Sequence, residues 1–172
     1  GIDYTQPIFR YEDGTTKIKY IWDQTTNSEP NDPDINFGTV YTQEQINEAL
    51  KNDDPYSIVP HKDSDGHGTF LASVAAGRES DEFIGAAPDA DIIVVKLKKA
   101  SNYYLKKFLV PTEQHNAYEA IDIILGLTFA IDKTQPSQTP CSMCLGLGSN
   151  FGGHNGQNRL ENYITFISNA IG

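Results

Sequence analysis

The feature that most constrains this chain is the pentapeptide D-G-H-G-T at positions 65–69, which leads directly into an apolar run. Glycines on both sides of His67 let the backbone approach a neighbouring segment closely. Apolar residues then recur with helical spacing and predict a helix over 67–77, with a face made of Phe70, Leu71, Val74 and Ala75. A histidine placed between glycines at the start of a helix is typical of a general base. Such a base needs a nucleophile at one ring nitrogen and an orienting carboxylate at the other.

The composition is that of a globular domain with an acidic surface. The 172 residues are enough for one domain with its own core, and 38% of them are hydrophobic. The formal net charge of −10 argues against nucleic-acid binding, which needs clustered Lys and Arg. No stretch approaches the roughly 18 consecutive apolar residues of a membrane span. The chain begins at Gly1 without a signal-like segment, which we interpret as a sign of a processed or excised piece.

Strand and helix patterns alternate along the chain. Residues 17–22 predict a short strand, and the apolar runs 90–98 and 141–147 predict two buried strands. A capping box over 42–45 starts one helix, and two more helices are predicted over 112–133 and 160–171. The inward face predicted for the first of these two consists of Ala117, Ala120, Ile121, Ile124, Leu125 and Phe129. Short connections between such elements favour an α/β fold with crossover helices.

Four blocks of the chain, taken together, resemble the subtilisin-like serine proteases of bacteria. Residues 63–77 resemble the family's histidine block, G-H-G-T followed by an apolar helix. Residues 1–9 resemble the segment directly after the catalytic aspartate, D-[ST]-G-I-D-x-x-H-P-x-F. Residues 84–96 are similar to the G-V-A-P stretch before the next strand, and residues 145–156 to the strand and loop that line the substrate cleft. The blocks follow the family's order, with divergent loops at about 23–60 and 98–112.

The resemblance implies a fold, an activity and a set of site residues. The fold would be a three-layer α/β/α sandwich with a mainly parallel sheet, and residues 1–172 would form part of a single catalytic domain. The activity would be that of a serine endopeptidase with His67 as its general base. Peptide substrate would bind along Leu145, Gly146, Leu147 and Gly148, largely through the backbone as an added strand. The resemblance favours a secreted or cell-envelope location, although the chain itself leaves the compartment open.

The other two triad positions of the family have no counterpart among these 172 residues. The family's aspartate lies two positions before the glycine that matches Gly1, and Asp3 matches a non-catalytic position. The A-G-N and G-T-S-M motifs, which supply the oxyanion asparagine and the nucleophile, do not occur. Ser142 lacks the preceding G-T, and Ser149 falls in the cleft loop. We therefore expect the chain by itself to be inactive and, with apolar sheet edges uncovered, to self-associate.

Other interpretations are weaker but stay open. The main alternative is a non-catalytic subtilase-like module that binds peptides or partner proteins. Cys141 and Cys144 form a C-x-x-C, but in a predicted strand rather than at a strand–helix junction, which disfavours thiol-redox chemistry. No metal site is assigned to the set His61, Asp63, Asp65 and His67. Calcium is left open as a ligand of the acidic loops 31–34 and 52–54, for which solvated loops are favoured. His154 is interpreted as a loop residue rather than a second base.

Overall fold

A computed structural model describes residues 1–80, 83–111, 113, 116–135, 139–149 and 152–170. The chain divides into two compact units, Gly1–Lys98 and Lys99–Gly172, and each is treated by itself below. The three strands described all belong to the first unit, whereas the second is helical. Among the described helices, none combines the length and the apolarity needed to cross a bilayer.

A three-stranded sheet in the order β2–β1–β3 forms the frame of the first unit. The central strand β1 (Ile18–Asp23) pairs antiparallel with β2 (Thr39–Thr42) and parallel with β3 (Ile92–Lys96). The register places the last residues of the two parallel strands, Asp23 and Lys96, side by side. The strands predicted over 17–22 and 90–98 are therefore confirmed, but β3 is partly buried rather than buried as predicted. Ligand and catalytic sites of α/β sheets commonly lie at this carboxyl edge of the parallel strands.

Two α-helices lie between β2 and β3 along the chain of the first unit. Helix α1 (Gln43–Ala49) begins with the predicted capping box, in which the Thr42 hydroxyl accepts from the Gln45 N–H and the Gln45 side chain accepts from the Thr42 N–H at 2.9 Å. Helix α2 (His67–Ala76) begins directly after Gly66. The core of the unit joins the N-terminal segment, β1, β2 and α1, and its buried members are Ile2, Tyr4, Phe9, Ile18, Ile21, Tyr41, Ile46, Ala49 and Val59.

The helix predicted over 67–77 is confirmed, but its apolar side chains are placed differently from the prediction. Phe70 and Val74 are 64% and 44% exposed within the described chain. Ala72 packs against the core, and Ala76 is buried. Small residues make this contact because they let the helix backbone approach the N-terminal segment closely, which larger apolar side chains would prevent.

A buried lysine fastens the end of α2. Lys17 is fully buried, and its ammonium donates hydrogen bonds to the carbonyl oxygens of Ala76, at 2.6 Å, and of Pro88. The last carbonyls of a helix have no partner within the helix, so a cation at this position satisfies one of them and complements the helix dipole. Lys17 thereby holds the end of α2 and the turn at Pro88 to the start of β1.

The described residues of the second unit form three α-helices: α3 (Asn102–Lys107), α4 (Ala120–Thr134) and α5 (Arg159–Ala170). Leu127 and Ile131 of α4 pack against Ile167 of α5, and partly buried neighbours extend this cluster. The hydroxyls of Thr128 and Tyr163 lie 2.5 Å apart and add a polar contact between the same two helices. The predicted C-terminal helix is thus confirmed over the described residues.

Two predictions in the second unit are wrong. The helix predicted over 112–133 is observed from Ala120 onward, because Glu119 has extended backbone angles, while residues 112, 114 and 115 lie outside the described residues. Ile121, predicted to face inward, is 54% exposed. Residues 141–147, predicted as a buried strand, have irregular backbone. A short apolar run forms a strand only where a neighbouring strand offers hydrogen-bond partners, and none is described in this unit.

Candidate active site

His67 opens helix α2 at the end of a loop built on aspartate side chains. Gly66 before it has φ 80°, a left-handed conformation that glycine adopts without strain. The Asp65 carboxylate accepts the backbone N–H of His67 at 3.0 Å. His67 is exposed, so the imidazole is open to a reacting group from another segment.

Asp63 organises the same loop from its other side. One carboxylate oxygen accepts from the Gly66 N–H at 3.2 Å, and the second accepts from the N–H and the hydroxyl of Thr69 at 2.9 and 2.5 Å. Partial burial by itself would raise the pKa of Asp63, but the hydrogen bonds from Thr69 and Gly66 favour the charged carboxylate. The net result lowers its pKa to about 2. Asp63 is therefore an ionised structural anchor of the loop that carries His67.

The N-terminal segment lies directly against this loop. The Thr69 hydroxyl accepts the N–H of Asp3 at 2.8 Å while donating to Asp63, so one side chain joins the two segments. A Cβ atom added to Gly68 would lie 1.9 Å from the carbonyl oxygen of Gly1. Only glycine fits at this crossing. The glycine that follows His67 is therefore explained by close backbone approach, as the sequence predicted.

Behind the loop, a buried Asp–His pair connects the sheet to the N-terminal segment. Nδ1 of His61 lies 2.7 Å from Oδ2 of Asp23, and both side chains are almost fully buried. Nε2 of His61 accepts the backbone N–H of Ile2 at 3.2 Å. The ammonium of Lys96 lies 3.4 Å from the same oxygen of Asp23. Burial lowers the pKa of His61, the hydrogen bond and charge of Asp23 raise it, and the charge of Lys96 lowers it; the net direction is downward.

Asp23 was not among the residues selected from the sequence, although a local signal for it exists. Asp3, Asp13 and Asp23 each stand two residues before a threonine, and each carboxylate accepts both the N–H and the hydroxyl of that threonine. Asp13 is exposed, whereas Asp23 is 2% exposed and ends the central strand. The motif predicts a turn, but only its position at the sheet edge gives Asp23 a histidine partner.

The residues assigned to substrate binding belong to the second unit. Leu145, Gly146, Leu147 and Gly148 lie in the irregular segment 139–149, where Leu145 and Leu147 are each 40% exposed. All four residues are exposed. Their role in substrate binding and the role of His67 as general base stay predictions.

The other groups of interest have local contacts. Cys141 and Cys144 are free thiols, and burial raises the pKa of Cys141, the opposite of the lowered pKa that redox thiols show. Asn31 fastens its acidic loop to Val40 by two hydrogen bonds of 2.8 Å. His154 contacts the carbonyl oxygen of Ser149 through Nε2 at 2.6 Å. Among the described residues, no three His, Cys, Asp or Glu side chains are grouped so as to hold a metal ion.

Comparison with known proteins identifies the family. The model of the Peptidase S8 subtilase family matches residues 1–117, and the chain therefore belongs to the subtilases. The structure is similar to that of the CspB protease of Clostridium perfringens, with a TM-score of 0.78 and 34% sequence identity.

The extent of that similarity differs between the two proteins. It covers 98% of this chain but 32% of the CspB protease chain, so the present chain spans about a third of that length. No curated protein sequence matches the chain. The subtilisin-like α/β fold inferred from the four sequence blocks is confirmed by the family match and by this structural similarity.

Proposed function

We propose that this chain is part of the catalytic domain of a subtilisin-like serine endopeptidase, with His67 as the general base. One observation carries the proposal: the loop that presents exposed His67 is hydrogen-bonded through Thr69 to the segment Gly1–Asp3. In the family pattern the catalytic aspartate lies just before this segment. The contact supports a site in which the position expected for the aspartate lies beside the imidazole.

The proposed chemistry uses three groups: the imidazole of His67, a serine hydroxyl and an aspartate carboxylate. The imidazole of His67 accepts the proton of the serine hydroxyl as the serine oxygen attacks the peptide carbonyl carbon. It then donates that proton to the leaving amine. The aspartate orients the ring and stabilises the imidazolium. The proposal requires that the serine and the aspartate come from segments matching the family's G-T-S-M and D-[ST]-G motifs, since neither motif occurs among these 172 residues.

Substrate would bind as an extended peptide along residues 145–148. Backbone N–H and carbonyl groups of this exposed segment would pair with an extended peptide, so recognition would depend little on side chains. Gly146, where the family usually has serine, keeps this backbone pairing and loses only a hydroxyl contact.

The experiment that tests the proposal is labelling with a fluorophosphonate probe, which reacts with activated serine nucleophiles. The protein is expressed with the segments that flank the chain, and hydrolysis of a fluorogenic peptide is measured in parallel. We expect labelling and turnover in the wild type, and a loss of roughly 10⁴-fold or more in kcat for His67→Ala. Asp13→Asn, a change at an exposed turn, is the matched control and keeps activity.

Two outcomes would contradict the proposal. Absence of labelling and turnover in a folded wild-type protein would favour the non-catalytic peptide-binding module instead, which would be tested by measuring the affinity for the same peptides. Full activity in His67→Ala would show that another residue is the base. For the 172-residue chain by itself we expect neither labelling nor turnover, because the nucleophile motif is not among its residues.

A further inference from the structure

We propose that Asp23 and His61 form a positioning pair that fixes the segment Gly1–Asp3, and with it the neighbouring aspartate position of the proposed triad, against the loop that carries His67. The pair is separate from the triad, since neither residue matches a triad position of the family pattern. The consequence for activity rests on the proposed function. The geometry of the pair does not.

The hydrogen bonds assign the proton on His61. A backbone N–H can only donate, so Nε2 of His61, 3.2 Å from the nitrogen of Ile2, must accept and carries no proton. The proton of the neutral ring is then on Nδ1, which donates to Oδ2 of Asp23 at 2.7 Å. An imidazolium would direct an N–H at the N–H of Ile2. The pair therefore requires a neutral ring with the proton on Nδ1.

Asp23 is held in the orientation that selects this tautomer. Its Oδ1 atom accepts the N–H and the hydroxyl of Thr25, at 2.9 and 2.5 Å. Its Oδ2 atom is therefore directed at His61 and also receives the ammonium of Lys96 at 3.4 Å. Asp23 and Lys96 are the charged side chains that act on the ring. The orientation of the Asp23 carboxylate thus sets the tautomer of His61, and this tautomer allows Nε2 to accept the N–H of Ile2.

A small shift of the Ile2 backbone would also move the segment that contacts the proposed active site. Ile2 lies between Gly1, whose carbonyl oxygen touches Gly68, and Asp3, whose N–H is bound by Thr69. The side chain of Ile2 is 1% exposed and belongs to the core. A shift of about 1 Å in groups that align a catalytic site can reduce rates about a hundredfold. The pair acts through this segment and does not touch substrate.

Asp23→Asn tests the pair because it inverts the tautomer. With Oδ1 of the asparagine still accepting from Thr25, its NH₂ group faces His61 and must donate to Nδ1. The ring proton then moves to Nε2, where it opposes the N–H of Ile2. We expect the Nδ1–H tautomer in the wild type and the Nε2–H tautomer in Asp23→Asn, measured by nitrogen-15 NMR of the imidazoles in the full chain. Asp13→Asn, which has the same turn motif without a histidine, is expected to leave the wild-type tautomer unchanged.

Activity gives the second measurement. In the active protein we expect Asp23→Asn to lower kcat by ten- to a hundredfold, with KM changed less than threefold, because the segment moves and the substrate groove does not.

Two substitutions at His61 separate positioning from stability. His61→Gln places an amide oxygen near the position of Nε2, where it can accept from Ile2. His61→Asn places a donor near Nδ1 and keeps the hydrogen bond to Asp23 but loses Ile2. If the pair positions the Gly1–Asp3 segment, His61→Gln should have a higher kcat than His61→Asn. A purely structural role predicts the reverse, because the asparagine keeps the buried carboxylate paired. This comparison also serves if Asp23→Asn does not fold.

The outcomes are separable. An Nε2–H tautomer in the wild type, or a kcat in His61→Asn equal to or above that of His61→Gln in an active protein, would overturn the positioning pair. A wild type without protease activity that shows the Nδ1–H tautomer, inverted in Asp23→Asn, would support the pair and count against the proposed function alone.

Discussion

Gly68 crosses Gly1 so closely that a methyl group on Gly68 would lie 1.9 Å from the carbonyl oxygen of Gly1. The atom in the way belongs to the backbone, so no side-chain rotation can relieve the clash. Three consecutive residues of the N-terminal segment make contacts of this kind. Gly1 touches Gly68, the N–H of Ile2 donates to His61, and the N–H of Asp3 donates to Thr69. These contacts define the geometry on which the proposed site depends.

Gly68→Ala is expected to destabilise the first unit by about 2 to 3 kcal/mol, because the N-terminal segment must move away from α2. Alanine would otherwise favour the helix, so the loss measures the clash. Trp22, the single tryptophan, is 2% exposed and reports unfolding of this unit by fluorescence. Gly14→Ala is the control: it adds a methyl group at φ 84° in open space and should cost about 1 kcal/mol. Equal losses for the two variants would refute the close crossing.

The stability of the first unit is expected to fall as the pH decreases from 7.5 to 5.5. The pKa of His61 is lowered from its ordinary value of 6.5 by burial, so the unfolded chain binds a proton that the folded chain does not. The slope is at most about 1.4 kcal/mol per pH unit for one group. Urea unfolding at several pH values measures it. His61→Gln should reduce the slope, whereas Asp13→Asn should retain it; an unchanged slope in His61→Gln would exclude His61 as its source.

Thr69→Val removes the hydroxyl that joins Asp3 to Asp63 while keeping the shape of the side chain. We expect a loss of about 1 to 2 kcal/mol at neutral pH and a rise in the pKa of Asp63 from about 2 toward its ordinary 3.8. Because the ionised carboxylate stabilises the fold above pH 3.8, the difference from wild type should shrink as the pH falls toward 2. NMR titration of Asp63 and urea unfolding measure both effects.

Thr15→Val is the control for that variant, since the Thr15 hydroxyl donates to Asp13 in an exposed turn. A change within about 0.5 kcal/mol is expected there. If both valine variants lose the same stability, the Thr69 bridge contributes no more than a surface turn does.

Lys17→Met is expected to destabilise the first unit by about 2 to 3 kcal/mol. The methionine fills the space of the lysine stem, but the carbonyl oxygens of Ala76 and Pro88 lose the ammonium that satisfies them. Chemical denaturation followed by Trp22 fluorescence measures the loss. Lys51→Met, at an exposed position after α1, should change stability by less than about 0.5 kcal/mol. A gain in stability for Lys17→Met would show that burial of the charge outweighs its hydrogen bonds.

Several elements could be predicted from sequence because their signals are local. The Thr42 capping box and the start of α2 at His67 depend on residues within one helical turn, and the structure contains both. The strand predicted over 141–147 failed for the opposite reason: apolar content does not show whether a pairing partner is present. Likewise, the helical spacing of Phe70 and Val74 predicted a helix correctly without determining which side contacts the core.

The sequence by itself determined the family, the α/β class and the loop that presents His67, because these are encoded in contiguous motifs. Only the tertiary structure decided the Asp23–His61 pair, whose members are 38 positions apart in the sequence, and the His61–Ile2 hydrogen bond, whose members are 59 positions apart. No periodicity or spacing links such positions. They meet because the parallel pairing of β1 and β3 and the crossing of Gly1 over Gly68 bring a strand end, a loop and the N-terminal segment together.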